Sequence, residues 1–108
     1  MAILDQSLVD ELRDVMGGDF SMLVDSFERD GRQRLEALRS AVDDGDAENL
    51  RAISHSFKGS SSNVGAVAVA ETCKVMESAA RDGDLGQAGD LLSTLEEQFV
   101  TALDALRD

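Results

Sequence analysis

The chain's single histidine, His55, opens the stretch HSFKGSSSNVGA, with Lys58 and Gly59 one helical turn further on. A lone imidazole can serve as general base, metal ligand or nucleophile, and its neighbours decide which. Zinc needs several converging ligands. There is no second histidine, and the only cysteine, Cys73, falls on an apolar stripe, where it reads as a small core residue rather than a nucleophile. A hydrolase needs a nucleophile, a base and an oxyanion site together, but Ser60 and Ser61 turn toward the interior side of their helix. The run KGSSS lacks the G-x-x-x-x-G-K-[ST] order of a phosphate-binding loop, so nothing supports ATP binding. What remains is imidazole as a nucleophile in its own right, taking a phosphoryl group on one ring nitrogen while Lys58 offsets the added negative charge. Such an acceptor needs no pocket, because a partner can bring the leaving group and the metal.

Laid out as a helix at about 100° per residue, the stretch puts Ile53, Phe57 and Val64 opposite His55, with Leu50 nearby. His55 is then at the centre of the solvent face. Arg51, Lys58, Gly59 and Ser62 share that face, within about 60° of it. A helix-interior glycine costs about 1 kcal/mol relative to Ala. Gly59 neither packs nor caps here; its effect is to remove bulk beside the imidazole, and the small Ser62 extends the clearing. The competing reading is a glycine that has drifted into an exposed position. No Asp or Glu occurs from Asn49 to Ala70, although acids are common elsewhere in the chain. With Arg51 and Lys58 flanking the histidine, the face suits a group that becomes negative.

Helical periodicity runs through almost the whole chain. Leu4, Leu8, Leu12, Val15 and Met16 mark a short first helix ending at Gly17-Gly18. Asp19 or Ser21 is placed to cap a second helix with the stripe Phe20, Leu23, Phe27, Leu35, Leu38 and Val42, which DDGD at 43–46 breaks. The third helix begins near Ala47 and stops at Gly65. The fourth runs from about Val67 to Arg81 with Val69, Cys73, Met76 and Ala80 inward. After RDGD at 81–84, Leu85, Ala88, Leu92, Leu95, Phe99, Ala102 and Leu106 alternate steps of three and four, the pattern of a bundle seam. Short connections make neighbouring helices antiparallel. The expected fold is all-α, an up-down four-helix bundle preceded by a short N-terminal helix, as one domain over residues 1–108.

Composition narrows the function further. Proline is absent from the 108 residues, as continuous helices require, and 43% are hydrophobic, enough for a core. A net charge of −12 argues against nucleic acid and against an anionic membrane. No apolar run is long enough to span a bilayer, and the start MAILDQSLVD has no basic, then apolar, leader pattern. A single cysteine fits a reducing cytoplasm. The chain is expected to be a cytoplasmic monomer.

At this point the sequence resembles the histidine-containing phosphotransfer (HPt) domains, whose signature H-x-x-K-G-S-S-x-N-[LV]-G-A is matched by HSFKGSSSNVGA. The similarity extends to the N-terminal LD and GGD segments, AVDDGD before the signature helix and MESAARDGDL after it. The resemblance implies a four-helix bundle carrying phosphate between receiver-domain aspartates of response regulators and hybrid sensor kinases. By that resemblance His55 would be the phospho-acceptor, Lys58 its electrostatic support and Gly59 the residue that permits receiver approach; the helix layout adds Arg51 to the support and Ser62 to the clearing. Glu77, on the following helix, is placed where the family often carries Gln or Glu beside the ring; it could hold the second ring nitrogen or be a solvated helix charge. Ser54 stands where Ala is common. The chain itself would bind no cofactor, and Mg²⁺ would sit in the receiver. The rival reading is a binding module that sequesters a response regulator without turnover. An autokinase fragment is disfavoured by the missing nucleotide motif.

Overall fold

Turn chemistry divides the chain into its elements. In the computed structural model, which describes residues 2–108, these are α1 (Gln6–Met16), α2 (Asp19–Asp44), α3 (Ala47–Asn63), α4 (Val67–Arg81) and α5 (Ala88–Arg107), with no strand among the described residues. Asp5 Oδ1 accepts the Leu8 amide at 3.2 Å to start α1, and Asp46 Oδ1 accepts the Asn49 amide at 3.1 Å to start α3. Each satisfies a donor that a first helical turn leaves free. α2 stops at Gly45, whose φ of 63° is left-handed and whose amide reaches the Ala41 and Val42 carbonyls. Neither Asp19 nor Ser21 caps α2. Asp19 is already its first helical residue, where a negative charge suits the helix dipole, and Ser21 Oγ donates back to the Gly18 carbonyl.

Helices α2 to α5 form the up-down bundle, each packed on two neighbours in the cycle α2–α3–α4–α5. The molecule measures 42 × 24 × 19 Å, its long axis set by the 26-residue α2. α1 closes the end where α3 turns into α4. The Asp5 amide donates to the Gly65 carbonyl at 2.8 Å. Gly65 has a φ of 80°, and a Cβ on it would come 2.9 Å from Val9 Cγ2, so both backbone shape and close packing call for glycine. Arg13 donates to the Ala105 and Leu106 carbonyls, satisfying acceptors that the last turn of α5 leaves free. No helix among the described residues is long and apolar enough to cross a membrane.

The core is centred on Phe99. Its ring lies 5.3 Å from that of Phe27 and 6.0 Å from that of Phe57, and all three are buried. Truncating such a ring to Ala typically costs about 3–5 kcal/mol. Space for it comes from Gly31 on α2, since a Cβ there would overlap the ring at Cε1 and Cζ.

Several stripe positions differ from the periodicity reading. Val15 is 78% exposed and Val9 is buried in its place, because α1 covers the bundle end with only the side facing Gly65 and α2. Leu85 is half-buried and precedes α5, which begins only at Ala88. α3 ends at Asn63, two residues before Gly65. Leu23, Leu35 and Val42 are half-buried, while Val24, Gly31 and Ala41 are buried, because α2 packs on both α3 and α5.

Candidate functional site

α3 presents His55 outward from the middle of its length, with 65% of the side chain exposed. Leu50 and Phe57, both fully buried, fix the rotation of the helix. Behind the ring stands Glu77 of α4, only 5% exposed. His55 Nδ1 and Glu77 Oε2 are 2.8 Å apart. Lys58 Nζ donates to the other oxygen, Oε1, at 2.7 Å, and Arg81 approaches Oε2 at 3.4 Å. One buried carboxylate thus collects three basic groups from two helices.

The electrostatics follow from that arrangement. The Lys58 hydrogen bond holds the Glu77 carboxyl below its ordinary value, against the opposing effect of burial and with the help of His55. At neutral pH Glu77 is therefore ionised and can only accept hydrogen bonds. The ring nitrogen facing it must carry the proton, so the neutral ring is the Nδ1–H tautomer and Nε2 holds the lone pair. Nε2 has no hydrogen-bond partner among the described residues, and the ring that carries it is mostly exposed. Chemically, this is an oriented nucleophile with a fixed counter-charge at its back.

The expected site residues are not all placed as their spacing suggested. Gly59 is exposed, and a Cβ added there would meet no atom within 4 Å; Ser62 beside it is exposed too. Lys58 lies on the His55 side of α3, but its side chain is only 32% exposed and is ion-paired to Glu77 rather than free in solvent. Arg51 is paired at 2.6 Å with Glu48, so its cation is partly neutralised just outside the acid-free stretch. The face is not acid-free in three dimensions, because α4 brings the Glu77 carboxylate to the same place. Glu77 is a buried ring partner and not a solvated charge.

Other participants escaped the sequence reading. Arg81 is four residues beyond Glu77, a spacing that puts both on one helix face. Arg34 of α2 donates to Ser56 Oγ at 3.2 Å. With Asp30, Gln33, Ala37, Ala52 and Ile53 these two line a groove of about 510 Å³ between α2 and α3. Ile53, expected in the core, is half-buried because it forms part of that groove. Ser54 and Ser61 are fully buried, and their hydroxyls find no partner among the described residues. Burial pushes the Cys73 thiol up to about 12, which leaves it protonated and unreactive. No cluster of three or more metal-ligating side chains occurs among the described residues.

Comparison with known proteins agrees in fold and in sequence. The family model for the Hpt domain matches residues 22–108. The crystal structure of histidine-containing phosphotransfer protein B (HptB) from Pseudomonas aeruginosa PAO1 superposes with a TM-score of 0.93 at 39% identity, covering 97% of this chain and 91% of that one. No curated protein sequence matches.

Proposed function

Since the chain belongs to the Hpt domain family and is a histidine phosphotransfer intermediate of a phosphorelay, we propose that His55 Nε2 is the atom that carries the phosphoryl group. The observation supporting this is the Nδ1 contact to the buried Glu77 carboxylate, which leaves Nε2 as the free, outward nucleophile. The Nε2 lone pair attacks the phosphorus of a receiver's aspartyl phosphate. The Nε2–P bond forms, the P–O bond breaks, and its electron pair leaves with the receiver carboxylate. The imidazole keeps its Nδ1 proton and becomes a cation, a charge that lies against Glu77. Transfer onward to a second receiver reverses these steps. Metal chemistry belongs to the receiver, whose carboxylates are the hard oxygen ligands Mg²⁺ prefers.

The partners are receiver domains, and Gly59 and Ser62 are the positions at which a receiver backbone comes close to the ring. Lys58 and Arg51 are the electrostatic support of the ring, acting from their ion pairs with Glu77 and Glu48. We place the protein in a reducing cytoplasm, on its single buried cysteine, and read it as a monomeric carrier without autokinase activity. The test is incubation with a panel of ³²P-labelled receivers from its host. Wild type should take up an acid-labile, base-stable label, as a phosphoramidate is, and His55→Gln should take up none. A complex without label would identify a sequestering module instead, and equal labelling of His55→Gln would exclude His55.

A further inference from the structure

Of the cations gathered around His55, Lys58 and Arg81 pair with Glu77, and Arg51 pairs with Glu48. Arg34 of α2 is half-buried but has no carboxylate partner among the described residues. Its one hydrogen bond runs from Nε to Ser56 Oγ at 3.2 Å, which leaves both terminal nitrogens without a partner among those residues. That bond orients the guanidinium and keeps its outer edge available, and the planar fork of that edge matches a carboxylate. The place is as specific as the geometry. At about 100° per residue, Ser56 stands to one side of His55 on α3 and Lys58 to the other. The Lys58 side is closed by Glu77, whereas the Ser56 side opens into the groove of about 510 Å³ between α2 and α3. Ala37, Ala52 and Ile53 give that groove an apolar lining, and Asp30 and Arg34 put two opposite charges on its α2 wall. The two are one turn apart, about 6 Å along the helix axis, and they do not pair with each other.

We propose that Arg34 is a specificity-determining residue for phosphotransfer: it takes a carboxylate that a receiver presents in the α2–α3 groove, while Asp30 turns away receivers that place an acid one turn further along. The proposal rests on receivers being the partners of His55. Charge complementarity identifies the occupant. A chain with a net charge of −12 repels acidic surfaces in general, so an acid is accepted only where it meets an unpaired cation. Partial burial strengthens that contact, because a guanidinium shielded from water interacts more strongly than one on an open surface. A receiver without the matching acid would cover Arg34 and leave its charge uncompensated, and that penalty separates one receiver from another. The contact lies beside the acceptor and not at the reacting bond. It is made equally before and during transfer, so it acts on docking and not on the chemical step.

The experiment has two readouts on a panel of receivers from the host: calorimetric affinity for each unphosphorylated receiver, and transfer rate against phospho-receiver concentration. For the receiver that binds tightest, Arg34→Ala should weaken binding and raise the half-saturating concentration roughly 5- to 20-fold, with the limiting rate kept within about 2-fold. Arg34→Lys keeps the charge but not the fork and should recover only part of the loss. Arg29→Ala removes the same charge from an exposed position of α2 outside the groove and should change neither readout. Asp30→Arg combined with Arg34→Asp preserves the net charge and should reorder the preference among receivers. Replacing the receiver acid that meets Arg34 by Lys should restore binding to Arg34→Asp. Unchanged affinity in Arg34→Ala, a loss no larger than that of Arg29→Ala, or a charge swap that weakens all receivers equally would overturn the proposal. Arg34-dependent binding without phosphate transfer would instead refute His55 as acceptor and leave Arg34 in its role; transfer indifferent to Arg34 would do the reverse.

Discussion

Glu77 carries opposing pressures: burial favours its neutral form, whereas the Lys58 hydrogen bond, helped by His55, favours the charged one and prevails. A carboxyl with a depressed folded value contributes stability that is complete above its unfolded value, about 4.5, and is lost as the pH falls through the lower folded value. Glu77→Gln has no such titration and leaves Lys58 half-buried without its counter-ion. Wild type should therefore be the more stable of the two at neutral pH, by a margin that holds down to about 4.5 and shrinks below it. Denaturant midpoints of both proteins across that range check this; a margin unchanged in acid would mean that the charge of Glu77 contributes nothing to the fold. His55, Lys58, Gly59 and Ser62 were legible as one helix face because their spacing falls within a single segment. The burial of Glu77 was not, because it depends on how α4 rotates against α3, and the periodicity of one helix does not specify its rotation against another.

Two glycines in helix interiors show what elements add to residues. Both carry the same intrinsic penalty of about 1 kcal/mol relative to Ala. Gly59 of α3 faces open space, whereas Gly31 of α2 faces the Phe99 ring. Gly59→Leu should thus raise the melting temperature or leave it unchanged while blocking transfer from receivers. Gly31→Ala should lower stability, because overpacking of a core costs about 1–3 kcal/mol and exceeds the propensity gain. Thermal melts should show a lowered midpoint for Gly31→Ala but not for Gly59→Leu; a stabilised Gly31→Ala would show that Phe99 has room to shift. The exposed glycine could be read from the apolar residues opposite it, but Gly31 could not, because its partner is 68 positions away on α5. The bounds of α4 followed from its stripe and the glycines outside it. At α1 the same reasoning chose Val15 over Val9, because so short a helix buries only part of an apolar surface that extends around it.

At the scale of the molecule, the bundle gathers four of the chain's ten basic residues near His55, most of them paired with carboxylates, in a sequence with a net charge of −12. Lys58 and Arg81 converge on Glu77, and Arg51 stands one turn before His55 on α3. Arg34 adds a cation at the α2–α3 groove through Ser56. The up-down order brings α3 against α4, and that contact creates the dyad of His55 and Glu77 from residues 22 apart. A nucleophile backed by a fixed carboxylate and open on its far side has one direction in which to react. The most direct test is ¹H–¹⁵N–³¹P correlation NMR on ¹⁵N-histidine-labelled protein phosphorylated by a receiver. Phosphorus should be bonded to His55 Nε2 with the proton still on Nδ1; phosphorus on Nδ1, or on a side chain other than His55, would contradict the assignment.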